Sequence, residues 1–284
     1  MNMFAGAVAA LGTMHGKERV ITPTLDAQLG LRVELMGGLD TDRFGTFTRE
    51  IPRVGTPRET ARAKARHALQ AHGHARFGLS SEGSFGPHPY VPFFPGGVEM
   101  VLLVDSETSL ELVGIDITME TNFGSSCVTS IDEALSFADK ASFPSHGLIV
   151  IAGPTDKPDP ELGITKGIVA PEDLELAVHQ VLRLHGRAWI ETDMRAHVNP
   201  TRMKSIDRAV LALARAAKSL CPACARPGYV ATKRVDGLPC VECEAPTGKA
   251  RAEIFECAGC DRREERSLEG QSYATAYDCP QCNP

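Results

Sequence analysis

The stretch Gly6-Ala7-Val8-Ala9-Ala10-Leu11-Gly12-Thr13-Met14-His15-Gly16-Lys17 decides the fold class. An apolar run from Gly6 to Leu11 reads as a buried strand, a short polar turn follows, and helical spacing begins at about Lys17. Leu31 to Leu35 is strand-like again, so the chain opens as a βαβ unit. The architecture this predicts is an α/β domain, a mixed sheet flanked by helices. Pro23 falls inside the first helical pattern, where its missing N–H predicts a kink or a later helix start.

The alternation continues downstream. Thr56-Pro57-Arg58-Glu59 supplies an N-cap, a proline at the first helical position and a capping-box glutamate, predicting a helix to about Ala71 closed by His72-Gly73. Strands are predicted at Ala75 to Leu79, Glu99 to Val104, Leu110 to Ile117, Gly147 to Ala152 and Ala188 to Ile190. Helices are predicted at Ile131 to Lys140, Pro171 to His185 and Arg202 to Leu220. Pro154 to Pro160 reads as a surface loop. The domain reading is therefore 1–200 for the α/β part, 201–220 for a connecting helix and 221–284 for a cysteine-rich module.

That module holds eight of the nine cysteines as four Cys-x-x-Cys pairs: Cys221/Cys224, Cys240/Cys243, Cys257/Cys260 and Cys279/Cys282. Two thiolates on one tight knuckle occupy two corners of a tetrahedron, so two knuckles close one structural zinc site and four predict two. Redox pairs would want a βαβ context around each motif, and a disulfide framework an oxidising compartment. Two pairings compete: sequential sites, or a nested scheme joining Cys240 and Cys243 to Cys257 and Cys260. Cys127, the ninth, reads as a buried structural thiol.

Charge bounds the partners. The net charge is −6 and the pI about 5.9, leaving no global field for nucleic acid or anionic membrane. From Cys221 onward eight Lys or Arg face ten Asp or Glu, so the zinc module is read as structural or partner-docking before it is read as a nucleic-acid binder. No apolar run approaches the roughly 18 residues of a membrane span. Met1 to Leu11 lacks a basic n-region and reads as a strand and not as a signal peptide, so the expected location is cytoplasmic. A homodimer is left open.

Candidate chemistry lies at strand ends, where open α/β sheets place ligands. Thr13 to Lys17 offers backbone N–H groups, a hydroxyl and an ammonium to an anion, although taken alone it reads first as an ordinary strand-to-helix turn with a surface lysine. Ser81 to Pro89 is written like a binding loop, two glycines on one side and prolines on the other. Within it His88 reads first as a hydrogen-bonded loop histidine. Glu191 to Arg202 is a dense polar cluster, either a source of arginine contacts to phosphate or an internal ion-pair network.

Four short matches, in order, resemble the house-cleaning nucleoside triphosphate pyrophosphatases: the inosine triphosphatase family, the related inosine/xanthosine triphosphatases and, more distantly, the Maf proteins. Thr13 to Lys17 is similar to the family's phosphate-binding first loop, with Lys17 at the lysine position and His15 or Met14 replacing the usual Asn. Glu59-Thr60-Ala61-Arg62-Ala63-Lys64-Ala65 resembles its Glu-Asn-Ala-x-x-Lys-Ala helix, with Thr60 for Asn. Ser80-Ser81-Glu82-Gly83-Ser84 sits where its acidic loop lies, the paired aspartates reduced to Glu82. Ser145-His146-Gly147 is similar to its base-contacting Ser-His-Arg-Gly, without the arginine. The resemblance covers roughly residues 6–155.

What the resemblance implies is a nucleotide-binding α/β fold and a Mg²⁺-dependent hydrolase that acts on a nucleoside triphosphate or related phosphorylated small molecule and releases pyrophosphate. Glu82 and Glu50 are then the catalytic and Mg²⁺-binding carboxylates, with Asp40 and Asp42 as alternatives. Thr13, His15, Lys17, Lys64, Ser84, Ser145 and His146 would contact substrate. Glu59 is assigned to its capping box, and an exposed helical lysine is the plain reading of Lys64. The alternative to an enzyme is a binding or adaptor protein that reads a nucleotide or nucleic-acid end while its zinc module docks a partner.

Overall fold

The computed structural model describes residues 2–38, 55–153, 158–270 and 272–284. Glu50, Asp40 and Asp42 lie outside these residues, as does part of the Pro154 to Pro160 loop. The chain is mixed α/β, with three sheets and five α-helices among the described residues. It divides into two compact units, Met1–Ala214 and Arg215–Pro284.

In the first unit, β1 (Val8–Gly12), α1 (Glu18–Leu29) and β2 (Arg32–Leu35) form the opening βαβ unit, with β1 and β2 parallel. Pro23 lies inside α1, neither ending nor starting it. Ile21, Leu25 and Leu29, one helical turn apart, are all buried, and that apolar stripe outweighs the one backbone bond proline removes. Left-handed Gly30 closes the helix. Next, α2 (Pro57–His72) starts at the expected capping box, Thr56 N–H donating to Glu59 Oε2 at 2.7 Å and Glu59 N–H to Thr56 Oγ1 at 3.3 Å.

The strands β3 (Phe77–Pro87), β4 (Pro95–Asp105) and β5 (Glu111–Thr118) complete a sheet of order β2-β1-β3-β4-β5. β3 is parallel to β1, whereas β3, β4 and β5 form an antiparallel meander, so the sheet is mixed. The expectation of a binding loop from Ser81 is corrected here: Ser81 to Pro87 continue β3, paired residue by residue with β4 from Val101 to Pro95. Two glycines and a proline read as loop signals, but unbroken pairing with the long apolar β4 overrides local propensity.

A second, antiparallel sheet contains β6 (Ser125–Val128), β7 (Leu148–Ala152), β8 (Ile164–Ile168) and β9 (Ala188–Thr192), in the order β6-β9-β7-β8. With α3 (Ile131–Lys140) and α4 (Pro171–His185) it encloses Val128, Leu148, Val150, Ile168, Leu174, Val178 and Ile190. The last helix, α5 (Pro200–Lys218), crosses β5 at Gly114, where a Cβ would collide with the Ala209 carbonyl and the Leu213 amide. That approach needs glycine.

The second unit is built on β10 (Val230–Asp236), β11 (Ala250–Glu256) and β12 (Arg263–Ser267), an antiparallel sheet in chain order. Its apolar core is small: Tyr229, Leu238, Ala252, Ile254 and Ala274 are buried beside Cys221, Cys240 and Cys279. Domains of this size lean on metals or disulfides, and this one has the sulfurs. No helix among the described residues is long and apolar enough to cross a membrane.

Candidate functional site

The pairing of β3 with β1 ends at Ser80, opposite Gly12, and β3 then runs on past the end of β1. Three basic side chains from three separate elements meet this protruding segment. Lys17, from the turn after β1, donates to Ser81 Oγ at 2.9 Å and to the Ser81 carbonyl at 3.3 Å. Lys64 of α2 pairs with Glu82 at 2.5 Å, both side chains buried, so the plain reading of an exposed helical lysine is corrected. Register puts Met100 opposite Glu82 and Glu99 opposite Gly83, so these neighbours point to opposite faces. Glu82 thus meets α2, while on the other face Glu99 pairs with Arg202 of α5 at 2.6 Å.

The Glu99–Arg202 pair is fully enclosed, with side chains 1% and 0% exposed. Arg202 also donates to the Met194 carbonyl and stacks over Phe85, 5.1 Å from its ring centre. A Cβ at Gly83 would lie 2.5 Å from Glu99 Oε1 and 2.7 Å from Arg202 Nη2, so glycine is what allows the pair to sit against β3. Glu99 Oε2 is buried without a hydrogen-bond partner among the described residues. Buried ion pairs return little net stability, so this one sets geometry more than it holds the fold.

Burial holds the Lys17 ammonium down at about 8, helped by Arg202 and Lys64 and opposed by Glu99 and Glu82. His15, two residues away in a left-handed conformation, stacks on His197 with ring centres 5.1 Å apart. Burial, then the fields of His197, Lys17, Arg195 and Arg202, push His15 down to about 4. His197 is lowered by burial and Arg195, with Asp193 opposing. Both rings are therefore held toward the neutral form, first by burial and then by the positive charge around them.

The other expected site residues divide. Thr13 is buried and its hydroxyl donates to the Met14 carbonyl, while Ser84 is exposed. Ser145 and His146 belong to a separate cluster at the start of α5: Ser145 Oγ lies 2.9 Å from His146 Nδ1, and His146 Nε2 2.8 Å from Thr201 Oγ1. Burial lowers the His146 pKa. His88 accepts from the Tyr90 and Val91 amides, a loop histidine with its bonds made. The Glu191 to Arg202 cluster is an internal network, with Arg195 on Asp193 at 2.6 Å and Asn199 capping α5 through the Arg202 amide at 2.9 Å. Sequence reading passed over Glu99, although a lone carboxylate inside the apolar run Val98 to Val104 was the available signal.

Cys127, expected to be buried, is instead exposed in β6, and the other eight cysteines form two groups: Cys221, Cys224, Cys257 and Cys260, and Cys240, Cys243, Cys279 and Cys282. Neither the sequential nor the nested pairing holds. The sites interleave, first knuckle with third and second with fourth. Antiparallel strands explain this: β10 carries the chain from the first knuckle to the second, β11 returns it to the first, and β12 starts it back. Seven residues of strand span about 23 Å, too far for neighbouring knuckles to share an ion.

Thiolates about 2.3 Å from a tetrahedral zinc ion lie roughly 3.8 Å apart. The closest cross-knuckle sulfurs here are 3.7 and 3.6 Å apart in one group and 3.9 and 3.6 Å in the other, so both groups fit zinc. Amides of Gly259 and Glu242 donate to Cys257 and Cys240 sulfurs, the outer bonds a thiolate centre requires. Among the described residues these are the groups of three or more Cys, His, Asp or Glu able to hold an ion, and no carboxylate cluster joins them.

A family model described as Domain of unknown function (DUF6671) matches residues 64–284, from Lys64 through both cysteine groups. No curated protein matches the chain.

Proposed function

The chain belongs to the DUF6671 family, a description without chemistry, so from the site's own residues we propose a hydrolase that binds a nucleoside triphosphate or related phosphorylated small molecule and releases pyrophosphate. The observation that carries this reading is that Lys17, Lys64 and Arg202 all meet the protruding end of β3, Lys17 at Ser81, Lys64 at Glu82 and Arg202 across the sheet at Glu99. The order of motifs shared with the nucleoside triphosphate pyrophosphatases supports it. In this reading Lys17 and Lys64 hold phosphate oxygens as charge-assisted donors. Lys64 turning to phosphate frees Glu82 to accept a proton from the attacking water.

Mg²⁺ fits only in part. A magnesium ion takes one or two carboxylates and fills its shell with phosphate and water. Of the carboxylates on this face, Glu111 is held by Arg58 and Arg62 and Glu82 by Lys64, so Mg²⁺ would arrive with the nucleotide. Among the described residues no carboxylate cluster able to hold an ion is found, and the second reading is a nucleotide-binding protein without turnover, whose zinc module docks a partner.

The test is pyrophosphate and phosphate release with Mg²⁺ across a panel of standard, deaminated and modified nucleoside triphosphates. Pyrophosphate release that falls at least about a hundredfold in Glu82→Gln, with the fold intact, is the expected result. Silence across the panel with nucleotide binding retained would leave the second reading. Unfolding of Glu82→Gln would remove that side chain from the site.

A further inference from the structure

A groove of about 370 Å³ lies between α1 and α5, lined by Arg19, Val20, His197, Met203, Lys204 and Asp207. Several arginines of this unit are already engaged: Arg58 and Arg62 hold Glu111, Arg76 holds Asp105, Arg195 holds Asp193, Arg202 holds Glu99 and Arg208 holds Asp116. Arg19 and Lys204 have no carboxylate partner among the described residues. The groove's own acid, Asp207, accepts from Thr24 at 2.8 Å. Among the described residues, two cations and one carboxylate thus border a cavity whose wall is otherwise largely apolar, with Val20, Ala196, Pro200 and Met203. His197 joins the cavity to the site above, since its ring is stacked on His15 and His15 lies two residues from Lys17.

We propose that this groove is a second anion subsite, taking the distal phosphates of a polyphosphate-bearing ligand whose first phosphate sits at Lys17. This rests on the phosphate-binding part of the proposed function and narrows it to ligands with more than one phosphate. The arginine offers a planar fork to two phosphate oxygens and the lysine a point charge. A neutral His197 beside them can donate one N–H without adding charge. Arg19 and Lys204 are exposed, so their removal should leave the fold alone.

The experiment is calorimetric titration of the full zinc-loaded chain with inorganic phosphate and with tripolyphosphate. Wild type is expected to bind tripolyphosphate at least tenfold more tightly, roughly the gain of one charge-assisted contact. The double variant Arg19→Ala/Lys204→Ala should lose that preference and keep its affinity for inorganic phosphate, Arg19→Lys/Lys204→Arg should retain most of it, and Lys17→Ala should lose both ligands. Unchanged tripolyphosphate affinity in the double variant overturns the subsite. If Lys17→Ala still abolishes binding in that case, the proposed function stands without it. Failure of wild type to bind either probe overturns the subsite and the phosphate reading together.

Discussion

Lys17 is a buried amine among charges of both signs, and two pH dependences of opposite sign follow from its depressed pKa of about 8. The unfolded chain keeps that proton up to the ordinary 10.5, so between about 8 and 10.5 the unfolded state binds more protons and rising pH favours the fold. Anion binding needs the proton, so phosphate affinity should fall as pH rises through about 8. Titrations at pH 7 and 9 beside urea melts over the same range check both signs. Gly83 offers a second test, because a methyl group there meets the enclosed Glu99–Arg202 pair. Gly83→Ala should cost about 1–3 kcal/mol in denaturant melts, the range for forcing atoms into a packed interior. At this scale the sequence was partly legible: Lys17, Lys64 and Glu82 were named and meet at one strand end. Glu99 was passed over because its partner Arg202 lies 103 residues away, and no local pattern records such a contact.

Elements with strong local signals stand where the pattern put them. α2 begins at its capping box and α3 and α4 carry their predicted bounds, because caps and apolar stripes are written within a few residues. β6 and β8 had no such signal. Ser125–Val128 is mostly polar and partly exposed, and Ile164–Ile168 alternates around Lys166 and Gly167 with little apolar content. Pairing with neighbours, which no local window contains, makes them strands. Knuckle pairing failed to emerge for a related reason: the cysteines were read as spacings, and the strands between them decide which ends meet. Cys257→Ser should therefore release the zinc held with Cys221 and spare the site of Cys240, leaving about one zinc per chain by metal analysis. Loss of both ions together would contradict two separate sites.

For the whole molecule, the division into two units, each with its own buried residues, predicts separable responses to metal removal. The single tryptophan, Trp189, lies in β9 of the first unit, and the small core around Tyr229, with the cysteine groups that fit zinc, belongs to the second. A strong chelator should remove about two zinc ions, open Arg215–Pro284 to protease and leave Trp189 emission unchanged; a shifted tryptophan spectrum would show that the first unit depends on the metals. Interleaving has a further consequence in time. During synthesis the first site can close once Cys260 has left the ribosome, before Cys279 and Cys282 can reach Cys240 and Cys243. Until Cys279 and Cys282 follow, the nascent chain carries one finished metal centre and one bare dithiol. That interval, and not the finished protein, is when oxidation or capture of the wrong metal would do its damage.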